Sequence, residues 1–386
     1  MRIALVHMRH ARSGGTERTL NQLAAFLAER EHQVTLVCRS HVEPPHPTVR
    51  FQVLRPLSIG GAWRMWAFAR AVESFVAARR DEYDVVVGLG KTWSHDVMRL
   101  GGGVQRTYLE LAHPATLEGW EKLARRGALK QRIACAIEDR ALAPGAARKW
   151  ICNSEMVRRD VLARFRLPEE DVVVVHNGVE LARFEPALRA TAGAELRGQL
   201  GFEPGDVVAL FLGTGYGRKG LRELLHAFAE VQRERTNARL LVVGFDSTAG
   251  RYIALAEALG IAAVTRFLGG RADVATCYAA ADLYVLPTLY DPFANTTLEA
   301  LASGLPVITT QSNGAAELMT PEREGAILPH DRAPSALAAC LHAWLDRDRI
   351  EASRRFARAL AAEHDAGRAM RETLTVFEAA ASLSPR

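Results

Sequence analysis

The sequence predicts an α/β protein built of two Rossmann-like domains whose parallel sheets face each other across a cleft. Three observations carry this. Short apolar, β-branched runs alternate with longer amphipathic stretches, the pattern of parallel strands covered by helices. The runs are unbroken rather than alternating, as buried parallel strands should be. The whole pattern also restarts about 200 residues along the 386-residue chain, more than one hydrophobic core usually organises.

In order, Ile3–Val6 reads as the first strand, Ser13-Gly14-Gly15 as a turn and Thr16–Ala28 as the first helix, with Thr16 a possible N-cap. Val34–Val37, Val85–Val87, Trp150–Cys152 and Val172–Val175 continue the first strand series. The second series is Val207–Leu212, Leu240–Val243, Val264–Leu268, Leu283–Leu286 and Val307–Thr309. Between these lie the helical patterns Leu221–Glu234 and Leu298–Ser303. A boundary near Asn177-Gly178 divides an acceptor-binding domain, 1–178, from a donor-binding domain, 179–365. The Ala/Arg-rich helices after Pro334 end in one, about 366–386, expected to pack back on the first domain.

Composition excludes several classes. With 48% apolar and 24% charged residues the chain is neither disordered nor fibrous. Five scattered cysteines form no CxxC pair and no zinc-spaced Cys/His set, which suggests reduced thiols in a cytosol. No stretch has the length of a membrane span, and the first apolar run is too short for a signal peptide. Residues 1–175 hold 27 Lys/Arg against 19 Asp/Glu, while the remainder holds 22 against 25. A basic first half and a mildly acidic second half suggest that only the first faces something anionic.

The most informative stretch runs from Pro287 to Ile308. Asp291 and Glu299 stand eight positions apart across a strand-to-helix junction, with Asn295, Thr296 and Thr297 at the helix start between them. Carboxylates accept bonds from sugar hydroxyls and helix-start amides bind phosphate, so the junction can hold a sugar nucleotide. Thr296-Thr-Leu-Glu299 is also a capping box, and Asp291-Pro292 also a turn; both readings stand on these residues alone. Upstream, Gly213-Thr214-Gly-Tyr-Gly217-Arg218-Lys219-Gly220 follows a strand. Its glycines let amides approach an anion, and Arg218 and Lys219 add two cations suited to a diphosphate. A dinucleotide enzyme would place an acid about 20 residues further on; Asp246, the nearest at a strand end, is too far. Gly14 and Gly15 could bring first-domain amides to the donor phosphates, or form only a tight turn. His95, Asp96 and His113 are candidate acceptor contacts, or surface residues. No HExxH, P-loop or GxSxG occurs, and no convincing DxD metal pair, so neither a metal nor a cofactor is expected.

Taken together, these residues resemble the retaining glycosyltransferases of family 4, which have the GT-B fold. The resemblance spans Gly14–Arg18, Asn177-Gly-Val179, Gly213–Gly220, Phe267–Val274, Ala280–Pro287 and Asp291–Val307. It is nearest to the branch that adds a hexose to heptose of the lipopolysaccharide inner core. It implies Glu299 on the ribose hydroxyls, Asp291 over the donor sugar and Arg218 with Lys219 on the departing diphosphate. Asn295, Thr296 and Thr297 would contact that diphosphate from the helix start; Thr214 stands where many members have an arginine, and Arg271 lies near the base. Asp291 stands where the family has Glu, one methylene longer. The implied reaction transfers a hexose, glucose from UDP-glucose foremost, to a lipid-linked saccharide. UDP-galactose, UDP-N-acetylglucosamine and ADP-heptose are alternative donors. A UDP-sugar 2-epimerase and a non-catalytic carbohydrate- or membrane-binding protein are the other readings; the Arg218-Lys219 pair with Glu299 favours catalysis.

A lipid-linked acceptor would explain the charge asymmetry. Trp120, Lys122, Arg125, Arg126, Lys130 and Arg132 form a candidate interfacial helix, and Trp63, Arg64, Trp66 and Arg70 a second. Either could equally be an ordinary helix with a solvated basic face. The partners expected are a nucleotide sugar, a lipid-linked saccharide and an anionic membrane surface, with no nucleic acid. The expected location is cytoplasmic, at the inner face of a bacterial inner membrane.

Overall fold

Apolar runs with no polar face need cover on both sides, and in the computed structural model they form the cores of two parallel sheets. The structure describes residues 1–11, 14–112, 129–330 and 333–383. The first compact unit comprises Met1–His176 with Gly367–Arg386, the second Asn177–Ala366.

In the first unit the strands are β1 (Arg2–Val6), β2 (Gln33–Cys38), β3 (Arg50–Val53), β4 (Val85–Gly88), β5 (Val97–Leu100), β6 (Lys149–Cys152) and β7 (Val172–Val174). They lie in the order β3-β2-β1-β4-β5-β6-β7, each pair parallel. Helices Gly15–Ala28, Gly60–Ala78, Leu129–Ala141 and Glu155–Arg164 are among those that follow these strands. Three strands escape sequence reading: β3 and β5 here, and Gly325–Leu328 in the second unit. β3 is short and partly exposed, and β5 carries Arg99 inside the sheet. Burial pushes the Arg99 guanidinium down to about 10, and its Nη1 lies 3.4 Å from the Thr373 hydroxyl of the last helix, Ala366–Ser382. Arg148 reaches the same helix, donating to the carbonyls of Ala380 (2.6 Å) and Leu383 (2.8 Å).

The second unit holds β8 (Val207–Leu212), β9 (Ala238–Val243), β10 (Thr265–Gly269), β11 (Leu283–Leu286), β12 (Val307–Thr310) and β13 (Gly325–Leu328). Their order is β10-β9-β8-β11-β12-β13, again all parallel. The order turns back between β8 and β11, the kind of switch point where open α/β sheets bind ligands. The central strands β8, β11 and β12 are buried throughout. Each unit is thus a Rossmann-like parallel sheet with its helices, as the alternation predicts. No helix among the described residues is long and apolar enough to cross a membrane.

Two expected caps are not made. The first helix begins at Gly15 with Gly14 as its N-cap, so Thr16 is already inside it. The helix Asn295–Ala302 has Ala294 as its N-cap and no side-chain cap bond. The Thr296–Glu299 capping box therefore does not form, because the cap position falls on Ala294, two residues before the one that box requires.

Candidate functional site

The glycine loop after β8 is not a plain loop. Gly215 and Gly220, at φ 80° and 82°, bracket a single helical turn, Tyr216–Lys219, in a region that favours glycine. Gly244 at the end of β9 makes room for it: a Cβ there would stand 1.9 Å from the Gly213 carbonyl oxygen. Asp246 closes the turn from below. Its Oδ2 accepts the Tyr216 amide at 2.7 Å, and its Oδ1 accepts the Thr248 amide at 2.7 Å. The acid that seemed too distant for a dinucleotide site is thus spent on the loop itself.

The loop is also tied to the end of β11. The Arg218 carbonyl accepts from the Leu289 amide (2.9 Å) and the Thr288 hydroxyl (3.1 Å). This brings Arg218 Nη1 to 2.9 Å from Asp291 Oδ2, and Lys219 Nζ donates to the same oxygen. All this is nearly dry, with Lys219 6% and Asp291 7% exposed. Burial alone would raise the Asp291 carboxyl, but the charges of Lys219 and Arg218 outweigh it and hold it at about 2. Burial also pulls the Lys219 ammonium below the ordinary lysine value, against the opposing pull of Asp291. Two cations share one carboxylate, leaving the cluster one positive charge in excess.

Beside this cluster starts the helix Asn295–Ala302. The amides of Phe293, Ala294 and Thr297 are turned inward, to Asp291 Oδ1 (3.3 Å), Asn313 Oδ1 (3.1 Å) and the Ala294 carbonyl (2.9 Å). Thr297 is fully buried, its hydroxyl accepting from Asn313 Nδ2 at 2.9 Å, which corrects its expected diphosphate contact. Asn295 and Thr296, half-buried at the helix mouth, carry the two helix-start amides not turned inward. The Thr296 hydroxyl lies 2.7 Å from that of Tyr284, and Asn295 Oδ1 accepts from Asn177 Nδ2 at 2.7 Å. Glu299, one turn on, is buried, and Tyr278 donates its O–H to Oε2 at 2.9 Å.

Sequence reading missed Asn313, which organises this junction. Its side chain accepts from the Ala294 and Ala315 amides and donates to Thr297 and Thr309. Its own backbone bridges to that of Asp291. The Asn313-Gly314 pair marks a turn in the sequence, but nothing there shows that the amide side chain points inward. Tyr278, Tyr284 and Asp246 were missed for the same reason.

The remaining candidates take no part in the contacts just described. Thr214 and Arg271 are exposed in the second unit; Gly14 and Gly15 are exposed at the first helix of the other unit. Asp96, expected as an acceptor contact, is instead structural. It accepts the Val86 amide at 2.8 Å and pairs with Arg80 at 3.0 Å and Arg148 at 3.3 Å. His95, also an expected contact, is 8% exposed and packs against Gly88; burial pushes its imidazole down to about 4. Trp66, an expected interfacial residue, packs inward against Trp93 with ring centroids 4.9 Å apart. Lys130 and Arg132 are exposed in the first turn of Leu129–Ala141. His113, Trp120, Lys122, Arg125 and Arg126 lie outside the described residues. No group of three or more His, Cys, Asp or Glu among the described residues could hold a metal.

A parallel-sheet unit with a cation pair, a helix-start nest and a buried glutamate at the sheet's switch point has the parts to hold a sugar nucleotide. Comparison with known proteins agrees. Residues 13–183 match the family described as Glycosyltransferase Family 4, and residues 194–361 match Glycosyl transferases group 1. The chain is accordingly a glycosyltransferase of the group 1/family 4 kind, with the GT-B fold. A D-inositol 3-phosphate glycosyltransferase of Streptomyces bingchenggensis is 33% identical over 209 residues, 51% of this chain and 45% of that protein. The chain spans just under half the length of the curated relatives it matches. Among solved structures, WaaG, a glycosyltransferase involved in lipopolysaccharide biosynthesis, superposes with a TM-score of 0.82 at 23% identity, covering 97% of this chain and 99% of that one. Anabaena Alr3699/HepE in complex with UDP-glucose gives 0.71 at 20% identity, covering 99% and 100%. At these identities the two structures establish the fold.

Proposed function

We propose that the protein transfers a hexose, glucose from UDP-glucose foremost, to a lipid-linked saccharide such as heptose of the lipopolysaccharide inner core. The transfer would retain the anomeric configuration, need no metal, and take place on the cytoplasmic side of a bacterial inner membrane. The observation that carries the donor half is the cluster of buried Lys219 and Asp291 with half-buried Arg218, beside the open amides of Asn295 and Thr296. The involvement of WaaG in lipopolysaccharide biosynthesis and the UDP-glucose held by the Anabaena protein support the choice of acceptor and donor.

In this reaction the C1–O bond to the diphosphate breaks and a C1–O bond to the acceptor hydroxyl forms on the same face. The acceptor's proton passes to a donor phosphate oxygen, and UDP leaves. Arg218, Lys219 and the helix-start amides stabilise the charge that grows on the diphosphate, in a site too dry to weaken them. Glu299, held by Tyr278, accepts from the ribose hydroxyls. Asp291 keeps the two cations aimed and, under the donor sugar, accepts from one of its hydroxyls.

Turnover and melting shifts with UDP-glucose, UDP-galactose, UDP-N-acetylglucosamine and ADP-heptose test the donor. UDP-glucose should give the largest shift, and Lys219→Ala should abolish transfer with the fold retained. Wild-type turnover in that variant would overturn the assignment. A second reading follows from the D-inositol relative: a soluble sugar-phosphate acceptor. Transfer to inositol 3-phosphate, and not to a lipid-linked saccharide, would select it.

A further inference from the structure

The loop that leaves β3 and enters the helix Gly60–Ala78 holds apolar side chains out in water. Leu57 is 100% exposed, Ile59 91% and Trp63 52%. Scattered exposed apolar residues are ordinary, but a leucine and an isoleucine two positions apart, both almost wholly bare, with a tryptophan one helical turn on, are a patch with a purpose.

Their charged surroundings say what covers them. From Arg50 to Arg70 the chain has four arginines (Arg50, Arg55, Arg64 and Arg70) and no aspartate or glutamate. Arg55 and Arg64 are exposed on either side of the apolar trio. Bare aliphatic tips, a tryptophan and flanking arginines are the composition that settles at a lipid–water boundary, the apolar groups among acyl chains and the guanidiniums among anionic headgroups. A second copy of this chain would bring the same arginines against themselves. The position fits as well. β3 is the edge strand of a wholly parallel sheet, so the loop leaves at the carboxyl end, where the Gly14 turn after β1 and the His95 loop after β4 also emerge.

We infer that Leu57, Ile59 and Trp63, with Arg55 and Arg64, form the face by which the first unit docks on an anionic lipid surface. The inference rests on the lipid-linked acceptor proposed above and gives it a place: lipid lies against the carboxyl end of the first sheet.

Because Leu57 and Ile59 bury almost nothing, Leu57→Asn/Ile59→Asn should fold as the parent does. Sedimentation of the full chain with phosphatidylcholine vesicles containing phosphatidylglycerol should show binding that falls about tenfold or more in the double variant. Arg55→Glu/Arg64→Glu should fall similarly. On these vesicles tryptophan emission should shift to the blue in the parent and less in Trp63→Phe. The melting temperature and its rise with UDP-glucose should be unchanged in the double variant. An equal bound fraction in parent and double variant overturns the inference. So does a concentration-dependent dimer of the parent that the double variant dissolves while neither binds vesicles. Should vesicle binding respond as expected while UDP-glucose gives no melting shift in either protein, the docking face stands and the donor assignment falls.

Discussion

The Asp246 carboxylate accepts the backbone amide of Tyr216 at 2.7 Å, joining the end of β9 to the one-turn helix that carries Arg218 and Lys219. Neither residue touches the cations, yet their bond fixes the turn on which both cations stand. Asp246→Ala removes a charge-assisted bond to a backbone amide and should cost about 1–3 kcal/mol of stability by denaturant titration. It should weaken UDP-glucose binding more than it slows turnover at saturation, because it misplaces a binding loop. Equal affinity in parent and variant would show that the loop holds without this clamp.

The Asp291 cluster predicts an asymmetry between its partners. Asp291→Asn leaves the buried Lys219 and the half-buried Arg218 with no anion and should destabilise by about 3 kcal/mol. Adding Lys219→Met to it should restore part of that loss, a coupling that a double-mutant cycle in urea measures directly. The carboxyl is held at about 2, below its unfolded value of 3.8, so its contribution is present above about pH 4 and lost as pH falls through 2. Additive single and double variants would mean that the pair is not coupled.

His95 predicts a second acid-sensitive step of different origin. Burial holds its imidazole at about 4, below the ordinary 6.5, so the unfolded chain binds the proton more readily. The stability it permits is complete above pH 6.5 and falls as pH drops toward 4, by up to about 3 kcal/mol. His95→Met, apolar and of similar bulk, should flatten the unfolding free energy across this window. An undiminished slope in the variant would assign the loss to other groups.

Tyr278 predicts a split between affinity and rate. Its hydroxyl orients Glu299 from 2.9 Å, so Tyr278→Phe should cost about 1 kcal/mol of stability and raise KM for UDP-glucose severalfold with kcat little changed. Glu299→Ala should abolish the nucleotide-dependent melting shift. Unchanged KM in Tyr278→Phe would show that Glu299 needs no positioning.

Much of this architecture is legible in the chain, and the limits have physical causes. The β8, β11 and β12 runs are unbroken and apolar because both faces are covered, so they declare themselves. β5 hides because Arg99 interrupts it; in the folded chain its guanidinium reaches Thr373, 274 positions away. The cation pair and Glu299 show their chemistry by residue type. Asn313 does not: an asparagine before a glycine reads as a turn, and only the folded chain shows its amide joining Asp291's strand end to the Thr297 helix. The capping box misleads for a related reason. Its spacing is right, but the cap falls on Ala294, whose amide Asn313 holds, rather than on Thr296.

The shared carboxylate of Asp291 has one more implication. Cations usually shed their water as an anion arrives, and that loss is set against the affinity gained. Here Lys219 and Arg218 have already exchanged water for a carboxylate oxygen during folding, and the charge still unmatched is positive. An incoming diphosphate therefore meets donors that are largely dehydrated, aligned and only half neutralised. Its binding should then depend less steeply on salt than the count of two basic residues would suggest.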